Sequence, residues 1–364
     1  MLSTNRAERS DRLVDGLAAV LRTPSGDPFT PEVVAVPTRG VERWLTQRLS
    51  ATLGASDGGH DGVCANVDFP FPGTLTDRAL AAATGIDPDR DPWSVRRSVW
   101  PLLGVVDRHL GEDWLAPLAG HLGRVAPAPP PQAGAGPPDG TVEDPRRVRR
   151  FAVVRHLADL FDHYGVHRPG MICAWAEGRD TDEAGRTIVE DLRWQPPLWR
   201  ALRAAVGVPS PAERLEPACT LLRTDPDLVD LPSRLSLFGL TRLPASYLEV
   251  LAALADRRDV HLWLLHPSSA LWARLAGLHN PLRTPVRDPI PDRTRSRRPA
   301  PVVLPTRSEG SSGVPEHPLL ASWGRDAREM QVVLASVPID HDEALGAVDA
   351  PATLLGRIQA DIRA

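Results

Sequence analysis

Glu32-Val33-Val34-Ala35-Val36, bounded by Pro31 and Pro37, is the stretch on which the fold turns. It is short, apolar and largely β-branched, without alternating polar positions, so it suits a strand buried on both faces of a parallel sheet. Gly40 follows in a tight connection, and Val41, Trp44, Leu45 and Leu49 then recur at helical spacing. The unit reads strand, loop, helix, which is the building block of an α/β fold.

Working outward, Leu13, Leu17, Val20 and Leu21 form an amphipathic helix before this strand. Residues 65–69, Ala-Asn-Val-Asp-Phe, are a second short strand candidate, closed by Pro70-Phe71-Pro72-Gly73. From about 75 to 225 no comparable strand occurs, and helical runs at 95–110, kinked at Pro101, and at 150–163 indicate a helical domain. Strands return at 235–239 and 260–265, flanking a helix at 246–256, and helical runs close the chain near 319–334 and 352–362. Two segments rich in Pro with Gly or Ser, 125–145 and 287–315, read as an exposed loop and a linker. The expected division is therefore a sheet domain begun by 1–75 and resumed at 226–286, a helical insertion at 76–225, a linker at 287–316, and a following helical segment at 317–364.

The 364 residues are 42% hydrophobic and 24% charged, the balance of a chain with a sizeable core. No stretch approaches the roughly 20 consecutive apolar residues of a membrane span, and no apolar signal follows the start, which points to the cytoplasm and no membrane. Cys64, Cys173 and Cys219 have neither paired nor CxxC spacing and are expected to stay reduced. The net charge of −4 gives no global basic field, so any nucleic-acid site must be local. All 42 basic residues are arginine, a pattern that reflects coding bias more than function.

Triphosphate chemistry needs a glycine-rich loop carrying a lysine between a strand and its helix. Pro37-Thr38-Arg39-Gly40-Val41-Glu42-Arg43 has one glycine and the chain has no lysine, so ATP hydrolysis by this polypeptide is not expected. Two readings of that loop stand: a plain turn that uses the freedom of Gly40, or a ligand-facing loop at the carboxyl end of a parallel strand. Phe69 and Phe71 in Asp68-Phe69-Pro70-Phe71-Pro72 either stack unpaired bases or pack a strand corner. His163 and His167, with His156, Asp159 and Asp162 nearby, have the i, i+4 spacing of a metal pair but no further ligand cluster. Asp87, Asp89 and Asp91 alternate with prolines and arginine and read as turn and cap residues.

Several segments together resemble the RecC family, in chain order. Ser3-Thr4-Asn5-Arg6, the block from Val36 to Leu45, and Ala65-Asn66-Val67-Asp68-Phe69-Pro70-Phe71-Pro72 come first. Leu160-Phe161-Asp162-His163-Tyr164 with Arg168-Pro169, then Trp175 and Trp194-Gln195-Pro196-Pro197-Leu198-Trp199, follow. Phe238-Gly239-Leu240 with Leu243-Pro244 and Tyr247-Leu248, and finally His317-Pro318-Leu319-Leu320-Ala321-Ser322-Trp323-Gly324-Arg325, complete the series.

This resemblance implies a degenerate superfamily 1 helicase-like fold: a RecA-like parallel sheet with a helical insertion and no working ATP site. It implies a non-catalytic subunit of exodeoxyribonuclease V that holds RecB-like and RecD-like partners. Such a subunit splits duplex DNA and scans a single strand for Chi, while ATP and Mg are used by the partners. Family members are far longer, so further domains are expected beyond residue 364. By the same resemblance Arg39, Arg43, Trp44 and Phe71 are the candidate DNA contacts, the arginines for phosphate and Phe71 for stacking. Trp44 also suits the core of its helix, and Trp194 and Trp199 suit the packing of the helical domain. Better-known family members carry small uncharged or amide side chains where this chain has Pro37, Arg39 and Arg43, so a shared Chi sequence is not implied.

Overall fold

The computed structural model describes residues 1–23, 26–27, 29–56, 59, 61–122, 145–182, 185–278, 317–346 and 352–363. The expected loop at 125–145, apart from Pro145, and the expected linker at 287–316 lie outside the described residues. Contacts divide the chain into two compact units, Met1–Gly85 with Leu215–Ala364, and Ile86–Arg214.

The first unit is built on six parallel strands: β1 (Leu2–Ala7), β2 (Glu32–Ala35), β3 (Val67–Asp68), β4 (Arg234–Phe238), β5 (Asp259–Leu265) and β6 (His341–Ala344). They lie in the order β3-β2-β4-β5-β1-β6. Register pairs Val33 with Leu235, Leu235 with Val260, Leu2 with Val260 and Ser3 with His341. Alternation along each strand divides the apolar side chains between two faces. Val33, Ala35, Leu235, Leu237, Val260 and Leu262 pack on α3 (Pro72–Thr84), α9 (Pro211–Thr224) and α10 (Ala245–Ala255). Val34, Val36, Phe238 and Trp263 pack on α1 (Ser10–Leu21) and α2 (Arg39–Ser50). Helices on both faces of an all-parallel sheet bear out the α/β, RecA-like expectation.

One strand was hidden by its composition. Residues 2–7 begin with a polar run after Leu2, yet they form the interior strand β1, with Ser3, Thr4 and Asn5 buried. Thr4 Oγ1 donates to Asp342 Oδ1 at 2.8 Å, tying β1 to the edge strand β6. The first strand of the chain is thus β1, and the Glu32 run is the second. At the amino end of the sheet, Arg234 is buried and pairs with Glu32, its Nε donating to Oε2 at 3.2 Å, while its guanidinium also donates to the Val20 carbonyl at 2.9 Å.

The second unit is helical, with α4 (Val95–His109), α5 (Ala116–Leu122), α6 (Pro145–His167), α7 (Pro169–Ala176) and α8 (Gln195–Val206). Tryptophans organise its core: Trp93 stacks on Trp199 at 5.8 Å between centroids, and Trp175 meets Trp199 edge-on at 6.4 Å. The indole N–H groups of Trp93 and Trp175 are satisfied, Trp93 donating to Val208 O at 3.0 Å and Trp175 to Thr181 O at 2.8 Å, as buried indoles require. Pro101 lies inside α4, as the sequence predicts.

Candidate nucleic-acid interface

In open parallel sheets ligands approach the carboxyl ends of strands. Two such exits in the sheet unit carry distinctive side chains, and they differ in chemistry.

The first lies where β2 and β3 leave the sheet. The Val36 amide donates to Pro70 O at 3.0 Å, so the parallel pairing brings the segment before α2 beside the segment before α3. Thr38 caps α2, its Oγ1 accepting from the Val41 amide at 3.2 Å. That cap fixes Arg39 in the first helical turn, where its guanidinium sits over the Phe71 ring at 5.2 Å from the centroid and also pairs with Glu42. The distance is that of a cation–π contact. Both partners stay accessible, the Arg39 side chain 67% exposed and Phe71 40% exposed. Arg43, one turn further along the same flank of α2, is exposed and pairs with no described residue.

Trp44 takes another direction. Its ring packs 6.3 Å from that of Phe238 in the core between α2 and the sheet, with the Arg48 guanidinium 5.9 Å from its centroid. Of the sequence-derived candidates, then, Arg39 and Phe71 meet, Arg43 flanks them, and Trp44 serves the packing that holds α2. The two readings of the Phe-Pro corner divide by residue: Phe69 packs against the same core, whereas Phe71 faces outward. Left to this arrangement is a half-open aromatic face for a base and two guanidiniums for phosphate.

The second exit, after β5 and β1, is closed by its own side chains. Glu8 follows β1 and pairs with Arg363 of α14 (Leu354–Arg363), whose backbone carbonyl accepts from Ser268 Oγ at 3.0 Å. Asp11, in the first turn of α1, pairs with Arg9 at 2.6 Å, and that hydrogen bond holds its carboxyl below the usual carboxylate range. Two carboxylates at the start of α1 oppose the anion binding that a helix amino terminus otherwise favours. His266 lies buried in the same exit, with burial the main cause of a pKa lowered to about 4. Sequence reading did not single out Glu8, His266 or Arg363, because their meeting depends on β1, which carries no apolar signature.

In the helical unit, α6 runs through Gly165 and stacks His163 on His167, rings 6.2 Å apart and 8° from parallel. Nδ1 of His163 lies 2.6 Å from the Asp159 carbonyl, and among the described residues no group of three His, Cys, Asp or Glu could hold a metal. Asp87 accepts from the Asp89 amide at 3.0 Å and Asp91 from the Trp93 amide at 2.9 Å, the turn-forming role that their spacing indicates.

Comparison with known proteins bears on the whole chain. The family described as RecC, N-terminal domain, matches residues 2–364. The RecBCD enzyme subunit RecC of Mycobacterium tuberculosis is 45% identical over 361 residues, which is 99% of this chain and 29% of the relative. That of Mycolicibacterium smegmatis is 42% identical over 363 residues, 100% of this chain and 28% of the relative. The Escherichia coli subunit is 26% identical, covering 99% of this chain and 30% of its own length. The chain thus spans less than a third of the length of these relatives. The resemblance read from short blocks holds along the sequence from end to end, and the chain belongs to the RecC family, matching its N-terminal domain.

Proposed function

We propose that this chain acts as the N-terminal part of the non-catalytic, DNA-binding and scaffolding subunit of a RecBCD-type exodeoxyribonuclease V. In this reading it works in double-strand break repair by homologous recombination, helping to split the duplex and scan single-stranded DNA for Chi. The observation that carries the DNA contact is Arg39 poised over the exposed ring of Phe71, with Arg43 beside it. A phosphate that draws Arg39 away from Phe71 uncovers the ring for an unpaired base, and Arg43 takes a neighbouring phosphate. Glu42 holds Arg39 in place until phosphate competes for it.

The relatives' shared name, RecBCD enzyme subunit RecC, supports RecB-like and RecD-like partners. In this reading ATP and Mg are used by those partners, a division supported by the single glycine of the Pro37–Arg43 loop and by the absence of lysine from the chain. No described helix is long and apolar enough to cross a membrane, and the cytoplasm, where the chromosome is, is the compartment of this function.

The test combines assembly and binding. Tagged chain should retain the cognate RecB-like and RecD-like proteins, with ATPase and exonuclease activity in the complex and not in the chain alone. Arg39→Ala with Arg43→Ala should weaken single-strand binding and flatten its salt dependence by about 1.4 in log–log slope, two phosphate contacts' worth. Unchanged binding and slope would remove the site, and robust ATP hydrolysis by the purified chain would overturn the reading.

A further inference from the structure

We infer that the helical unit carries a second, independent contact for single-stranded DNA, centred on Trp100; the inference rests on the DNA-binding reading above. Trp100 projects from α4 and is 62% exposed among the described residues, unlike Trp93, Trp175 and Trp199, which fill the core of the same unit. It is nevertheless held from behind. Phe151 of α6 packs against that core and supports one side of the indole at 5.5 Å between centroids, tilted by 39°. The outer side of the indole is open. One turn along α4, Gly104 is exposed, and a Cβ added there would meet nothing within 4 Å, which leaves bare backbone as a shelf beside the ring.

The charge around this pair is one-sided. Along α4 and the 150–159 part of α6 stand Arg96, Arg97, Arg108, Arg150 and Arg155, against two carboxylates, Asp107 and Asp159, while Arg149 turns away toward Pro117, His121 and Trp194. Asp107 is already paired with Arg150. Arg97 and Arg108 donate only to backbone carbonyls, of Asp89 at 3.3 Å and Gly104 at 3.1 Å, and so keep their charge uncompensated. Arg96 and Arg155 are exposed and pair with no described residue. Helical spacing puts Arg96 one turn before Trp100 and Arg155 one turn after Phe151, so each aromatic has a guanidinium on its own flank.

A chain whose net charge is −4 concentrates here an excess of cations around an exposed indole. That combination suits a polyanion with flat, unpaired bases: a base stacks on Trp100 while the adjoining phosphates meet the arginines. Tryptophan and arginine also mark protein interfaces; the excess of unpaired guanidiniums over carboxylates is what favours a repeating polyanion. The geometry therefore points to single-stranded DNA as the occupant, with no demand on base identity because stacking is sequence-tolerant.

The experiment measures binding of the full chain to a fluorescent oligothymidylate by anisotropy across a salt series. Trp100→Ala should weaken binding about tenfold, the loss of one stacked base, while Trp100→Phe restores most of it. Arg96→Gln with Arg155→Gln should lower the log–log salt slope by about 1.4. Circular dichroism confirms that each variant is folded, and exposure at these positions makes them tolerant sites. If Trp100→Ala binds like the parent while Arg39→Ala with Arg43→Ala loses affinity, this second contact is wrong and the first stands. If Trp100→Ala loses affinity and the double arginine variant does not, the first site fails and this one stands. If the parent chain binds no oligothymidylate at all, both are overturned.

Discussion

Acidification should destabilise the sheet unit through one buried imidazole, His266, and the size of the effect can be worked from its surroundings. The residue is 4% exposed. Its Nδ1 accepts from the Ser268 amide at 3.4 Å, its Nε2 is buried without a hydrogen-bond partner among the described residues, and its ring meets Trp272 edge-on at 4.8 Å. Arg6, stacked on that same Trp272 at 4.9 Å, adds repulsion to the cost of burial, while Asp342 offsets part of it. Together they lower the pKa from 6.5 to about 4. The folded pKa lies below the unfolded one, so the stability tied to the neutral ring is complete above the unfolded value and is lost as pH falls toward the folded value. At ~1.36 kcal/mol per unit the full loss is about 3 kcal/mol, of which about 1.4 kcal/mol is gone near pH 5.5. Urea unfolding of the parent chain and of His266→Asn, which keeps an acceptor for Ser268 but cannot titrate, should show two curves of stability against pH that converge as pH falls. Carboxylates titrate equally in both proteins, so the difference between curves reports His266. Parallel curves between about pH 7 and 4.5 would refute the reasoning.

Two further outcomes follow from buried groups. Arg234→Ala removes the buried guanidinium that holds the Glu32 carboxylate and the Val20 carbonyl at the amino end of β2 and β4 and should cost about 3 kcal/mol in urea unfolding, whereas Arg234→Met with Glu32→Leu should recover most of that; a loss under about 1 kcal/mol for the single change would show the pair to be dispensable. Cys219 is 2% exposed, and burial, aided by Glu249 and Glu216, pushes its thiol up to about 12. Iodoacetamide at about pH 8 should therefore leave it unmodified in the native chain and label it only in urea, as read by peptide mass spectrometry; rapid native labelling would contradict the packing of α9 on α10.

What the sequence made legible follows the apolar signal. β2, β4 and β5 announce themselves as short β-branched or leucine-rich runs, and α10 between the last two completes the α/β rhythm. β1 and β6 do not. β1 is polar in its first half yet buried because neighbours flank it on both sides, and β6, His-Asp-Glu-Ala, is an exposed edge held only by pairing with β1. A period-based reading looks for apolar residues and so passes over a strand whose burial is imposed by position in the sheet. The candidate site was half legible for a related reason. Arg39 and Arg43 fall on one flank of a helix that the spacing predicts, but the contact between Arg39 and Phe71 exists only because β2 and β3 pair in parallel register. Trp100 escaped notice because in the sequence it sits inside an apolar run, and only the packing of α4 on α6 turns it outward.

The contrast between the two exits of the sheet is what gives the architecture its sense. Both end parallel strands at helix amino termini, and on topology alone either could receive an anion. After β1 the chain places Glu8 and Asp11, brings Arg363 in as the internal partner of Glu8, and buries a neutral His266 alongside, so the positive charge present is already engaged. After β2 it places Arg39 and Arg43 with one carboxylate, Glu42, between them, and leaves an aromatic ring half-open to solvent. An approaching phosphate must therefore break a semi-buried ion pair at the exit of β1, whereas at the exit of β2 it finds Arg43 with no partner among the described residues and Arg39 held only by an accessible one. Because a partly buried pair resists displacement more strongly than an exposed one, the same fold can be closed to anions at one strand end and receptive at another. Function in this sheet is decided by the residues that follow each strand, and not by the strands themselves.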